Sequence, residues 1–142
     1  MTAERICPDE AATRQLGKEL AGRLRPGDTV LLFGDLGSGK TVFVRGLAEG
    51  LGLDPSEVAS PTFALVHEYG PAGRPPVLMH ADFYRLADDP GGQGVAELGL
   101  TSRGGAILAV EWPRPPLSEA PAVRVMLEEI PGGARKVRIE AP

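Results

Sequence analysis

The stretch Gly34-Asp35-Leu36-Gly37-Ser38-Gly39-Lys40-Thr41 fits the pattern G-x-x-x-x-G-K-[ST]. The chemistry that this spacing supports is phosphate binding. Its glycines let the backbone curl until successive N–H groups converge on phosphate oxygens, at the positive end of the helix that follows. Lys40 is then expected to reach the β- and γ-phosphates of a nucleoside triphosphate, and the Thr41 hydroxyl to ligate Mg²⁺. The expected nucleotide-contacting stretch runs from Gly34 through Asp35, Leu36, Gly37, Ser38, Gly39, Lys40 and Thr41 to Val42. The competing reading is a glycine-rich turn that binds nothing. A strand before the turn and a helix after it, both legible here, favour the phosphate loop.

Such a loop needs carboxylates to help with the metal and the attacking water. Two acids end apolar runs, where a strand would deliver them to the phosphate end of a parallel sheet. Glu111 follows Ile107-Leu108-Ala109-Val110, and Asp82 follows Val77-Leu78-Met79-His80-Ala81. Glu111 is favoured on the metal side and Asp82 as the activating or switch acid, although swapped roles fit the sequence as well, so both count as metal candidates with Thr41. The plainer alternative is an acid that only caps a strand end or pairs with an arginine such as Arg85. In Ser60-Pro61-Thr62-Phe63 the Thr62 hydroxyl is a further catalytic candidate, as a sensor of the γ-phosphate. A Ser-Pro turn with Thr62 starting a strand fits that stretch equally. His67 and His80 read as packed or solvent-facing, Trp112 as core with a place on the nucleotide pocket wall as the alternative, and Cys7 as a residue at a helix cap with no sign of a reactive thiol.

The elements that must hold these groups are legible in outline. Ala12, Leu16, Leu20 and Leu24 recur every four residues, with Asp9 and Glu10 in the first turn, and predict a helix from Pro8 to Leu24. Thr29 to Phe33 is a short, continuously apolar strand running into Gly34. From Lys40 the apolar edges Phe43-Leu47-Leu51 and Val44-Ala48 predict a second helix, ended by Gly50 and Gly52. Phe63 to Tyr69 and Val77 to Asp82 predict a hairpin, and Glu97 to Leu100 the end of a short helix. Ala106 to Trp112 predicts a buried strand, and Val123 to Ile130 with Lys136 to Glu140 a last β pair. The expected fold is one α/β domain, a P-loop NTPase-like three-layer sandwich around a mixed sheet. Its centre is parallel and its additions are antiparallel.

The chain has 142 residues, 42% of them hydrophobic and 24% charged, with a formal net charge of −4. Lysines and arginines are scattered, the tightest cluster being Arg135-Lys136-x-Arg138, which disfavours direct grip on a nucleic-acid backbone. The apolar runs are too short to span a bilayer, the single cysteine has no internal partner, and the N-terminus lacks a signal-peptide pattern. The cytoplasm is the expected location.

Taken in order, several blocks resemble the TsaE (YjeE) family. They are the phosphate loop with Phe43-Val44-Arg45-Gly46-Leu47, then Ser60-Pro61-Thr62-Phe63-Ala64-Leu65-Val66-His67-Glu68-Tyr69 and His80-Ala81-Asp82-Phe83-Tyr84-Arg85-Leu86. Glu97-Leu98-Gly99-Leu100 and Val110-Glu111-Trp112-Pro113 follow. The resemblance implies a Mg²⁺-dependent ATPase of bacterial tRNA threonylcarbamoyladenosine biosynthesis, with TsaD and TsaB as protein partners, tRNA met only through their complex, and no membrane. It implies that ATP hydrolysis resets that complex between turnovers, and it marks Thr41, Asp82 and Glu111 as functional. The family commonly has Thr or Ser after the metal-binding Thr, where this chain has Val42; only a secondary phosphate contact is affected. The alternatives are a small-molecule kinase and a non-enzymatic nucleotide-sensing switch. No Arg-rich lid follows the second helix, which weighs against the kinase, and no Asn-Lys-x-Asp motif occurs, which favours ATP over GTP.

Overall fold

The computed structural model describes residues 2–58, 66–84, 104–115 and 117–142. Strands β1 (Thr2–Cys7), β2 (Thr29–Phe33), β3 (Val66–Tyr69), β4 (Leu78–Asp82), β5 (Ile107–Glu111), β6 (Val123–Glu129) and β7 (Arg135–Glu140) form one sheet. Helices α1 (Glu10–Ala21) and α2 (Lys40–Gly50) pack on it. The strand order is β1-β7-β6-β2-β5-β4-β3. β2 lies parallel to both β6 and β5, and β4 parallel to β5. β3 pairs antiparallel with β4, β7 with β6, and β1 with β7. The mixed sheet with a parallel centre is therefore present.

Alternation along each strand divides the side chains between two faces. Val30, Leu32, Leu78, Ala109, Val125 and Leu127 meet α1 and α2 in one core, while Leu31, Met79, Ala81, Leu108 and Val110 form a second core on the opposite face. A strand buried on both sides is apolar throughout, which is why β2 and β5 read as unbroken hydrophobic runs. Leu117, in the 3-10 turn Leu117–Glu119, joins the second core.

Boundaries differ from expectation for identifiable reasons. α1 starts at Glu10 rather than Pro8 because Asp9 is its N-cap, accepting a hydrogen bond from the Ala12 N–H at 2.8 Å. Its end moves back from Leu24 to Ala21, where Arg23 and Leu24 donate tighter turn bonds to the Leu20 and Ala21 carbonyls. β5 stops before Trp112, whose φ of 55° leaves the extended region. β1 was not expected at all, and it places Cys7 at a strand end, buried, instead of at a helix cap. Burial pushes the Cys7 thiol pKa upward, against the opposing Thr13 hydrogen bond. The N-terminal part of the expected strand from Phe63 and the expected helix end at Glu97 to Leu100 lie outside the described residues.

The two helices approach closely because glycines face each other. A Cβ at Gly46 would stand 2.0 Å from the Arg14 carbonyl oxygen, and one at Gly17 would stand 2.3 Å from that of Phe43. Backbone cannot yield as a side-chain tip can, so Gly46→Ala should cost about 1–3 kcal/mol by forcing the helices apart. Urea unfolding of the variant measures this, and an unchanged midpoint would refute the packing argument.

Candidate functional site

β2, β4 and β5 end at the same edge of the sheet, and each delivers one part of the site. Beyond Phe33 the chain turns at Gly34, where an added Cβ would lie 2.5 Å from Ser38 Oγ and 2.6 Å from the Leu127 carbonyl oxygen. Only glycine fits there. Gly39, at a left-handed φ of 100°, leads into α2 as an N-cap that supplies no side-chain acceptor. The first-turn N–H groups of α2 thus have no capping side chain and point where an anion binds well. The Ser38 hydroxyl is buried within the same loop and meets no hydrogen-bond partner among the described residues.

Lys40, the first residue of α2, is buried, and its ammonium bends back over the loop to donate to the Gly34 carbonyl and to the Asp35 carbonyl at 3.0 Å. The Trp112 ring lies under it, 4.3 Å from Nζ to the centroid. Desolvation pulls the Lys40 pKa below its ordinary value, while the charges of Glu111, Asp82 and Asp35 act in the opposite sense. Next along the helix, the Thr41 hydroxyl donates to Glu111 Oε2 at 3.1 Å. Glu111 is itself buried and also meets His80 Nε2, at 2.5 Å.

Asp82 stands directly opposite Glu111 in the β4–β5 register and accepts the Tyr84 N–H at 2.9 Å. Burial raises the Asp82 pKa and the nearby Glu111 charge adds to that, against the Tyr84 N–H, His80 and Lys40. The Tyr84 and Trp112 rings lie tilted, 5.0 Å apart.

These groups share a cavity of about 310 Å³. Thr41, Asp82, Glu111 and Trp112 line one end; Asp9, Thr13, Gly133 and Arg135 line the other, with the phosphate loop between. A larger groove of about 590 Å³ lies between α1 and strands β1, β6 and β7, but no phosphate-loop residue reaches it.

The structure brings together Lys40, Thr41, Asp82 and Glu111, with Gly37, Ser38, Gly39, Leu36 and Val42 around the same cavity. Gly34 and Asp35 stay outside its wall, in contact with Lys40 through their carbonyls. Thr62 and Arg85 lie outside the described residues. His67 contacts the Tyr69 hydroxyl, away from the loop. Trp112 lines the cavity instead of filling the core.

Arg135 was not among the expected site residues. Its Nε donates to the Ser38 carbonyl at 3.1 Å and its Nη2 to that of Gly37 at 3.0 Å. Two loop carbonyls are thereby held by one guanidinium from β7. The only local hint was a basic cluster near the C-terminus.

The donors present fit Mg²⁺. A hydroxyl and a carboxylate already in contact, with a second carboxylate beside them, are hard oxygen ligands, and Mg²⁺ takes few protein ligands because phosphates and waters complete its shell. No group of three or more His, Cys, Asp and Glu side chains that could hold a metal ion occurs among the described residues. No helix among them is long and apolar enough to cross a membrane.

The chain is similar to proteins of one known family. The family model for the threonylcarbamoyl adenosine biosynthesis protein TsaE matches residues 7–137. A tRNA threonylcarbamoyladenosine biosynthesis protein TsaE from Streptomyces coelicolor is 44% identical over 70% of this chain, a stretch that spans 66% of that relative, just under two thirds of its length. The protein of the same name from Aquifex aeolicus is 37% identical over 96% of this chain and 94% of its own. The crystal structure of Bacillus subtilis YdiB superposes with a TM-score of 0.74 at 27% identity, covering 99% of this chain and 86% of that one.

Proposed function

The chain belongs to the TsaE family of threonylcarbamoyl adenosine biosynthesis proteins, and from that premise we propose that it is a Mg²⁺-dependent ATPase serving tRNA threonylcarbamoyladenosine formation. One observation carries the enzymatic part: Thr41, Glu111 and Asp82 converge at one end of the cavity that the phosphate loop lines. The loop N–H groups and the N-terminus of α2 bind the phosphates. Lys40 leaves the Gly34 and Asp35 carbonyls and takes β- and γ-phosphate oxygens in their place. When bound, Mg²⁺ neutralises charge on the β- and γ-phosphates, and Thr41 and Glu111 are the side chains that would hold it.

Asp82 orients the attacking water and accepts its proton. The water oxygen bonds to the γ-phosphorus, and the bond from that phosphorus to the bridging oxygen breaks, leaving ADP and phosphate. Trp112 and Tyr84 keep bulk water from the Lys40 side.

The partners on this reading are TsaD and TsaB, and the ATPase resets their complex between threonylcarbamoyl transfers. tRNA is met only through that complex, in keeping with the net charge of −4. The cytoplasm is the corresponding location. ATP hydrolysis by the chain alone, then with TsaD, TsaB and tRNA, tests this. Slow turnover alone and clear stimulation by the complex are expected. Turnover indifferent to the complex would overturn the accessory role, and no turnover under either condition would overturn the ATPase.

A further inference from the structure

Glu111 is held from two sides. Thr41 donates to it from α2, and His80 meets the same oxygen, Oε2, from the neighbouring strand β4. His80 faces Ala109 in the β4–β5 register, two residues before the point where Asp82 faces Glu111. Alternation therefore puts His80, Asp82 and Glu111 on the same side of the sheet, the side that α2 covers. His80 is fully buried and Glu111 is 4% exposed, so neither side chain can swing into solvent without opening the core. An ionised carboxylate only accepts hydrogen bonds, which places a proton on Nε2. The other ring nitrogen, Nδ1, meets no partner among the described residues, so the imidazole's bonding is directed wholly at Glu111.

We propose that His80 is a positioning residue for the metal end of the site: its Nε2–H fixes the Glu111 carboxylate against Thr41, so that carboxylate and hydroxyl meet Mg²⁺ already oriented. The inference rests on the Mg²⁺·ATP reading above. A carboxylate on a free side chain samples several rotamers and must be ordered when the ion arrives. Here the ordering is built into the strand pairing, and a hydrogen bond to a carboxylate ligand of this kind is typically worth about 10–100-fold in metal affinity.

The test is a Mg²⁺ titration of ATP binding to the full chain, followed by the fluorescence of Trp112, the single tryptophan and a cavity residue. In His80→Ala the Mg²⁺ concentration for half-maximal enhancement should rise about 10–100-fold, with ATP affinity in EDTA unchanged within about twofold. His80→Gln, whose amide can still donate, should recover most of the loss. His80→Leu keeps the volume without the donor and should match His80→Ala, and it serves if the alanine variant unfolds.

A wild-type Mg²⁺ requirement in a folded His80→Ala or His80→Leu chain would overturn the inference alone. Wild-type ATP binding that ignores Mg²⁺ would overturn the metal reading and the inference together. A measurement needing no variant at this position is the ¹⁵N spectrum of the imidazole, assigned with His67→Gln. A proton on Nε2 is expected, and a neutral ring protonated on Nδ1 would refute the geometry.

Discussion

Lys40→Ala should weaken ATP binding by about 10- to 10⁴-fold, the loss of one or two charge-assisted hydrogen bonds to phosphate at about 1.5–3 kcal/mol each. The side chain sits at the first position of α2, buried, with its ammonium already stripped of water and held on two loop carbonyls beside the Trp112 ring. Desolvation has therefore been met in the free protein, and exchanging carbonyl acceptors for phosphate oxygens gains the charge. Alanine removes that gain and takes the ammonium donor from the Gly34 and Asp35 carbonyls, of which Asp35 keeps the Ser38 N–H. Isothermal titration on the folded variant gives the answer, with thermal melting as the control for structure. Wild-type affinity in Lys40→Ala would end the phosphate-loop assignment.

The second large effect falls on turnover. Glu111→Gln and Asp82→Asn should each keep nucleotide binding and lower the hydrolysis rate by about 10²-fold or more. The two should differ in how they do so. Glu111 touches the Thr41 hydroxyl, so its amide should raise the Mg²⁺ requirement. Asp82 shares the cavity with Thr41 and Lys40 and opposes Glu111 across the strand pair. Its amide should leave the Mg²⁺ requirement near wild type while removing the proton acceptor. Single-turnover hydrolysis across a Mg²⁺ series separates the two. Unchanged rates in both variants would remove the roles given to the acids, and a Mg²⁺ shift in Asp82→Asn alone would exchange them.

The phosphate loop and its flanking strand and helix were legible because each depends on nearby residues: unbroken apolar character for β2, glycines where the backbone turns, and a four-residue apolar rhythm for the helices. Glu111 and Asp82 were legible as acids at the ends of apolar runs. β1 was not, because five of its six residues are exposed, and pairing with β7 rather than an apolar face holds it in the sheet. The His80–Glu111 contact spans 31 positions and exists only through the β4–β5 register. Arg135 carries no local mark beyond its basic cluster, since its meaning comes from carbonyls far earlier in the chain. Trp112 looked like core because strand periodicity was extended one residue too far, past the point where its positive φ turns the ring into the cavity.

The Arg135 contact has a bearing on how the protein is made. Ser38 precedes Arg135 by 97 residues, and both parallel neighbours of β2, β5 and β6, also come late in the chain. A ribosome releasing this polypeptide emits the phosphate loop long before the strands that lie beside β2 and the guanidinium that fastens the loop. Early in synthesis β2 has no strand beside it, and the loop carbonyls have no guanidinium to hold them. Assembly of the loop thus waits until β5, β6 and Arg135 have emerged, in one step with completion of the sheet. That late, long-range closure belongs with slow, high-contact-order folding.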